Sequence, residues 1–241
     1  MAHQSVALFI PCLIDAFYPE VGQAVLDIFK KLALATTYPL DQTCCGQPAF
    51  NSGFRKEARR AAKHFIRIFE SAAAIVCPSG SCVHMVKNHY PELFKKNDPW
   101  HQRAVEVGRK THELTAYLVD VLNIVNLDAH YERTVTYHDS CHLLRGLGIS
   151  QQPRQLIRQV AGISFVEMEN ADVCCGFGGS FAVKYADISS AMVADKVRWI
   201  VESGANTVIG ADMGCLMNIQ GALARKKSPI KVMHIAQLLV Q

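Results

Sequence analysis

Eight of the nine cysteines in this chain fall into one ordered pattern that is used twice. A single cysteine comes first, an adjacent pair follows 32 or 33 positions later, and another single cysteine comes after the pair. The two sets are Cys12, Cys44, Cys45, Cys82 and Cys141, Cys174, Cys175, Cys215. Thiolates are the preferred ligands of zinc and of iron–sulfur clusters, so each set predicts a metal centre if its members converge.

The spacing within each set favours an iron–sulfur cluster over zinc. Zinc ribbons pair their ligands in two C-x-x-C knuckles, whereas here the ligands arrive one, two, one from three separate segments. Two adjacent cysteines would strain to chelate one small ion, but each can reach a different iron of a cluster. We expect one cluster per half, with the second half as the stronger candidate and zinc in one half as the alternative.

Glycines follow both cysteine pairs, namely Gly46 in the first half and Gly176, Gly178 and Gly179 in the second. Glycine lets the backbone approach a ligand closely and direct amide hydrogens at sulfur near a helix N-terminus. We therefore expect these glycines to surround the clusters, and Arg145 to offset their negative charge. A phosphate-binding loop is disfavoured, because the glycine run lacks the Lys-Ser/Thr ending.

The ninth cysteine, Cys77, has no partner in the repeat, because it aligns with Gly210. It is interpreted as a core thiol, with an extra ligand in the first half as the alternative.

Three histidines near the cysteines are expected to make ordinary hydrogen bonds, and two aspartates are expected to cap helix N-termini. They are His84, His138, His142, Asp15 and Asp139.

Strand-like and helix-like segments alternate along the chain. Short apolar, β-branched runs occupy residues 5–10, 72–76, 134–138, 163–168 and 206–210, and apolar residues recur at helical spacing in 20–33, 55–70 and 188–204. The alternation predicts an α/β protein of two similar halves, each a small parallel sheet with crossover helices. The cysteines then lie at the carboxyl ends of the strands, where such sheets build their sites.

The later parts of the two halves also repeat, which extends the shared plan beyond the cysteine pairs. Residues 72–86 align with 205–219, and residues 110–119 align with 231–240. A polar segment at 126–133 is the expected seam. We predict two domains, residues 1–126 and residues 127–241.

Composition excludes several other classes of protein. The 241 residues include 25 basic and 21 acidic side chains with no basic block, which argues against nucleic-acid binding. No stretch approaches the roughly 20 apolar residues of a membrane span, so we expect a cytoplasmic protein without a transmembrane segment. In the cytoplasm thiols stay reduced, which favours metal ligands over disulfides.

The motifs CCGQPAFNSG, PSGSC, CCGFGGSF, GADMGCLMNI and KVMHIAQLL resemble those of the lactate utilization protein A family, over nearly the whole chain. That family is similar to the CCG-domain subunits of heterodisulfide reductase and glycolate oxidase. The resemblance implies a non-NAD L-lactate dehydrogenase system in which this chain is an electron-transferring subunit rather than a complete enzyme. It also implies two partners, a ferredoxin-like iron–sulfur subunit and a third small protein.

One departure from the wider CCG group bears on the type of cluster. Heterodisulfide reductase members carry a fifth cysteine three residues after the last one, where this chain has Met85 and Asn218. Four ligands per half imply an ordinary [4Fe–4S] cluster. The alternative function is a thiol or disulfide reductase subunit, as in the heterodisulfide family. A dehydrogenase with its own nicotinamide cofactor is disfavoured, because no G-x-G-x-x-G follows a strand.

Overall fold

The computed structural model describes residues 5–241, which form two compact units divided between residues 117 and 118. Residues 118–126, which the repeat assigns to the first half, lie in the second unit. Each unit contains a four-stranded sheet in which every pairing is parallel. The predicted α/β architecture of two similar halves is confirmed.

The two sheets share one strand order. In the first unit the strands are β1 (Val6–Leu8), β2 (Thr36–Thr37), β3 (Ala74–Cys77) and β4 (Thr111–Glu113), in the order β2-β1-β3-β4. In the second they are β5 (His130–His138), β6 (Ala161–Phe165), β7 (Thr207–Gly210) and β8 (Lys231–His234), in the order β6-β5-β7-β8. The central strands β1 and β3 correspond to β5 and β7.

Helices connect the strands, as parallel pairing requires. In the first unit they are α1 (Cys12–Phe17), α2 (Pro19–Lys31), α3 (Gln47–Asn51), α4 (Arg55–Phe69), α5 (Gly80–His84), α6 (Tyr90–Glu92), α7 (Pro99–Lys110) and α8 (Leu114–Ala116). In the second they are α9 (Gln151–Arg158), α10 (Ser180–Lys184), α11 (Ala186–Glu202), α12 (Met213–Arg225) and α13 (Ile235–Leu238). Three π-helical turns occupy Met85–His89, Tyr117–Val121 and His142–Gly146.

The longest helices of the two units, α4 and α11, each bury one face. In α4 the buried side chains are spaced three or four apart, and charged residues cover the rest of the helix. Phe65 and Phe69 of α4 pack edge-on against Phe9, with ring centroids 4.8 and 5.8 Å away. In α11 the buried face contains Val193, Val197 and Ile200. No helix in the described part of the chain is both long and apolar enough to cross a membrane.

Candidate metal centre

The strand ends bring the predicted cysteines of each unit to one edge of its sheet. In the first unit Cys12 begins α1 after β1, the Cys44–Cys45 pair precedes α3, and Cys82 lies in α5 after β3. In the second unit the same three positions hold Cys141, the Cys174–Cys175 pair and, in α12, Cys215. None of the nine cysteines forms a disulfide, and all nine lie within the described residues.

Matching caps orient the last cysteine of each set. The Ser79 hydroxyl accepts a hydrogen bond from the Cys82 amide, and the Asp212 carboxylate accepts one from the Gly214 amide. Ser79 and Asp212 hold the same position relative to the cysteine, three residues before it. Such caps fix the first helical turn, so the direction of each thiol is fixed as well.

The thiols of the first unit form a continuous chain of contacts. The Sγ atoms of Cys45 and Cys82 are 3.4 Å apart. The Cys44 thiol in turn contacts both Cys12 and Cys45. Cys45 and Cys82 are buried, whereas Cys12 is exposed and Cys44 is half-buried. The site therefore has a buried side and a side that faces solvent.

The second unit repeats this chain of thiol contacts in the same order. Cys174 contacts Cys141 and Cys175. Cys175 also contacts Cys215, and both of these side chains belong to the apolar core of the unit. Cys141 and Cys174 are half-buried. The structure thus brings together all four sulfurs of each predicted set.

One cysteine in each unit is set to carry negative charge. Hydrogen bonds from Cys12, then Cys45, lower the pKa of Cys44 to about 3 against the effect of burial. Cys141, then Cys175, lower the pKa of Cys174 to about 2 in the same way. The donating thiols keep their protons, because the hydrogen bond to Cys44 raises the pKa of Cys12. A cation that replaced these protons would bind four thiolates per unit.

The glycine after each cysteine pair is required by the backbone. Gly46 and Gly176 have left-handed φ angles of +82° and +80°. Their amides donate to the sulfurs of Cys44 and Cys174, each at 3.4 Å. A Cβ on Gly176 would lie 2.8 Å from the Ser189 carbonyl oxygen, so only glycine fits there. Gly178 and Gly179 also have positive φ and immediately precede α10.

A different side chain in each unit anchors the backbone carbonyl of the paired cysteines. The Tyr90 hydroxyl donates to the Cys45 carbonyl at 2.9 Å, and the Asn218 amide donates to the Cys175 carbonyl at 2.8 Å. Asn218 occupies the position of the fifth cysteine in heterodisulfide reductase members. At the corresponding position of the first unit, Met85 is fully buried. Neither position offers a thiol, and Asn218 supports the backbone of the cysteine pair.

Cys77 ends strand β3 and is fully buried, with its thiol 3.8 Å from the Ser79 carbonyl oxygen. At its counterpart Gly210, a Cβ would lie 2.9 Å from the end of the Leu216 side chain, which would have to move to admit it. The first unit has the smaller Val83 at the position of Leu216. A larger strand-end residue thus accompanies a smaller helix residue in the first unit, Cys77 with Val83, and the reverse holds in the second, Gly210 with Leu216.

Arg145 lies on the surface beside the second site. Its guanidinium donates to the Asp172 carbonyl at 2.9 Å, two residues before Cys174. Lys196 is a fully buried cation near the same set of cysteines and is not among the predicted residues. The Lys196 ammonium donates to the carbonyls of Asn170 and Ala171 at 2.6 and 3.2 Å. Burial lowers the pKa of Lys196 to about 8, so it is mostly charged at pH 7.

His138 is more deeply buried and less fully hydrogen-bonded than the sequence predicts. Its side chain is 1% exposed, and neither ring nitrogen makes a hydrogen bond of normal geometry within residues 5–241. One ring nitrogen and the sulfurs of Cys175 and Cys215 all lie within 4.8 Å of one another. Burial, then the charge of Lys196, lowers the pKa of His138 to about 3, although the Ala171 carbonyl lies close enough to raise it. His142 contacts the Cys141 sulfur at 3.7 Å.

The expected N-cap role is wrong for both aspartates. Pro11 occupies the N-cap position of α1, and Asp15 inside that helix accepts a hydrogen bond from the Tyr38 hydroxyl at 3.0 Å. Asp139 instead forms a buried bidentate ion pair with Arg154, at 2.9 and 2.7 Å. Arg154 also pairs with Glu167. Because Asp139 lies two residues before Cys141, this network holds the loop that carries the cysteine.

Replacing Arg154 with alanine is expected to lower the free energy of unfolding by about 3–5 kcal/mol, because it leaves the Asp139 carboxylate buried without a counter-charge. Arg103→Ala is the matched control, since Arg103 makes a bidentate pair with the half-exposed Glu70. Such a surface pair contributes about 1 kcal/mol or less. Urea unfolding of the full chain measures both variants. Equal losses would show that the Asp139 pair has no special role.

The residues present fit a thiolate-bound metal group. Each unit offers four sulfurs linked in a chain of contacts, and a backbone amide is directed at one of them. Soft sulfur ligands of this number suit an iron–sulfur cluster or zinc. The second site adds the nitrogen of His138 to its surroundings.

Comparisons with known proteins identify relatives over the whole chain. The sequence profile of the cysteine-rich domain CCG matches residues 6–87 and 135–220. Lactate utilization protein A of Anoxybacillus flavithermus is 49% identical over 235 residues, and lactate utilization protein A 2 of Bacillus cereus is 47% identical over 236. Both alignments cover 98% of this chain and 98% of the relative.

A solved structure shares the fold at low sequence identity. The crystal structure of a hypothetical protein from Helicobacter pylori aligns with a TM-score of 0.67 and 10% identity. The alignment covers 98% of this chain but 48% of that protein, and it concerns the fold alone. The profile match and the full-length identities show the family: this chain belongs to the lactate utilization protein A family and carries the cysteine-rich CCG domain twice.

Proposed function

We propose that this chain is an iron–sulfur electron-transfer subunit of a system that oxidises L-lactate to pyruvate. The observation that carries the proposal is the convergence of four cysteine sulfurs in each unit, with one sulfur in each set that readily forms a thiolate. The substrate is proposed from the family, whose members are named for lactate utilization.

Cys12, Cys44, Cys45 and Cys82 would hold one cluster, and Cys141, Cys174, Cys175 and Cys215 would hold the other. A bound [4Fe–4S] cluster takes up and releases one electron at a time. Gly46 and Gly176 direct amide hydrogens at the thiolates, which stabilises negative charge at these positions. The buried cysteines keep water from one side of each site, and the more exposed ones leave the other side accessible.

Four ligands rather than five are proposed for each cluster. The side chains three residues after the last cysteine are Met85 and Asn218, and the latter is engaged with the Cys175 carbonyl. Cys77 is directed at the Ser79 carbonyl from the end of β3. Both observations favour an ordinary [4Fe–4S] cluster over the five-cysteine type. Zinc in one half is the alternative.

The proposal includes two partners, a ferredoxin-like iron–sulfur subunit and a third small protein. Oxidation of L-lactate to pyruvate releases two electrons and two protons. Each proposed cluster accepts one electron at a time, so the proposal places the acceptor of the electron pair in a partner. The more exposed cysteine of each site supports exchange of single electrons with a partner at the surface. A cytoplasmic location is part of the proposal, because thiols remain reduced there.

Anaerobic purification tests the cluster assignment directly. The protein is expected to be brown, with broad absorption near about 400 nm and about four irons and four sulfides for each occupied half. Iron, sulfide and zinc are measured on the same sample. Reconstitution with iron and sulfide under argon serves as the control for loss during purification, because exposed clusters and their thiols oxidise in air. Stoichiometric zinc without iron in both preparations would refute the proposal.

A further inference from the structure

The two units differ at one matched pair of buried positions beneath their cysteine sites. Counting back three residues from Cys12 and from Cys141 matches Phe9 with His138. The contacts of two equivalent glycines show which residues of α4 and α11 correspond. Gly46 lies against Ala58 of α4, and Gly176 lies against Ser189 of α11 in the same way. The same register matches Phe65 of α4 with Lys196 of α11.

In the first unit this pair is aromatic. The rings of Phe9 and Phe65 meet edge to face, with centroids 4.8 Å apart and an interplanar angle of 83°. Both side chains are buried. The contact is apolar packing and needs no polar partner.

In the second unit the same pair is polar. His138 and Lys196 are 1% and 0% exposed, and the charge of Lys196 acts on the imidazole. Burying an ammonium and an imidazole where phenylalanines would fit costs free energy unless an anion offsets it. The Lys196 ammonium is hydrogen-bonded to two backbone carbonyls. The remaining anionic groups close to this pair are the cysteine sulfurs and nearby carboxylates.

The His138 imidazole is directed at the cysteine site. One of its nitrogens lies within 4.8 Å of the sulfurs of both Cys175 and Cys215, which places it where a bound group would touch it. Among the described residues the Ala171 carbonyl lies close enough to act on the imidazole, but that contact falls short of a hydrogen bond of normal geometry. A group bound by the cysteines would offer the imidazole a second partner.

We propose that His138 contacts the group bound by the second set of cysteines, and that His138 with Lys196 gives this centre a higher reduction potential than the first. The inference rests on the proposed cluster binding. Hydrogen bonds to sulfur and nearby positive charge both favour the reduced, more negative form of a cluster. The Phe9–Phe65 pair supplies neither, so the two centres differ although their cysteines match.

The decisive measurement uses the intact holo-protein with ¹⁵N-labelled histidine, reduced with dithionite under argon. Pulsed EPR of the reduced centre that forms first should show coupling to a histidine nitrogen, and the coupling should change between ¹⁴N and ¹⁵N histidine. His138→Phe should abolish the coupling. His142→Phe is the matched control and should retain it, although His142 also lies beside a site cysteine.

Potentiometric titration followed by EPR tests the claim that the second centre has the higher reduction potential. The wild type should show two separated one-electron steps, and His138→Phe should shift the higher step downward, toward the lower one. Lys196→Met should also shift it downward but should keep the histidine coupling, because the imidazole remains.

Two outcomes separate this inference from the proposed function. Protein that cannot be loaded with iron and sulfide refutes the proposed function. Loaded wild-type protein without coupling to a histidine nitrogen, or with the higher step unchanged in both variants, overturns the inference while the proposed function stands. The measurement on labelled wild type needs no substitution, so a variant that fails to fold does not leave the inference untested.

Discussion

Replacing Cys175 with serine is expected to remove the iron of the second unit and to leave that of the first, so that about half of the iron is lost from a doubly loaded protein. Cys175 is buried and contacts both Cys174 and Cys215, so its sulfur links the other members of the set. A serine oxygen is a harder and poorer ligand for iron than a thiolate. Iron and sulfide per chain, measured after anaerobic reconstitution, give the result.

Two further variants control this experiment. Cys45→Ser is expected to produce the converse loss in the first unit. Cys77→Ser is the matched control for a buried cysteine of the same unit, and it should retain the iron of the wild type. If the Cys77 variant lost as much iron as the Cys45 variant, the first set would have five ligands. If either single site variant lost all iron, the two sites would not be independent.

Lactate oxidation is expected to require all three proposed components. L-lactate added under argon to the holo-protein, the ferredoxin-like subunit and the third small protein should bleach the cluster absorption and yield pyruvate. The holo-protein alone should do neither, because each of its cysteine sites takes one electron at a time and the proposal places the removal of the electron pair from lactate in the partners. Absorption and pyruvate are measured in the same cuvette, with D-lactate as the control substrate.

The opposite results are informative in different ways. Turnover of L-lactate by this chain alone would make it a complete enzyme and refute its assignment as a subunit. Reduction of a disulfide by the full set, with no response to L-lactate, would favour the thiol or disulfide reductase alternative. The double variant Cys45→Ser with Cys175→Ser should abolish pyruvate formation in the complete mixture, which would tie activity to the two sites.

The cysteine sets could be predicted because their spacing is covalent and appears twice. The central strands could be predicted for a similar reason, since β1, β3, β7 and the buried end of β5 are short runs rich in β-branched and apolar residues. Strand β2 cannot be predicted in this way, because its two residues, Thr36–Thr37, are too few to show a period. The grouping of four sulfurs followed from the parallel sheet, in which all strand carboxyl ends meet at one edge.

The polar supports of the site could not be predicted in the same way. Asp139 and Arg154 are 15 residues apart, and their pairing depends on how α9 packs against the sheet. The surroundings of His138 depend on Lys196, Cys175 and Cys215, which are distant in sequence, so its place beside the site does not follow from the residues next to it. Lys196 did leave a signal, since a lysine interrupts the apolar face formed by Val193, Val197 and Ile200. A charged residue at a core position of a helix predicts a buried polar or charged partner.

The unlike anchors of the two cysteine-pair carbonyls, Tyr90 and Asn218, bear on the origin of the chain. The two units hold the same stretch of backbone in different ways, one with a phenol and the other with an amide. If the units arose by duplication, these anchors have diverged since then. Each anchor lies in the same unit as the carbonyl it holds. Selection can therefore alter the surroundings of one copy by point substitutions that require no compensating change at the other anchor. A duplicated ancestor with two equivalent sites could specialise in this way within one polypeptide.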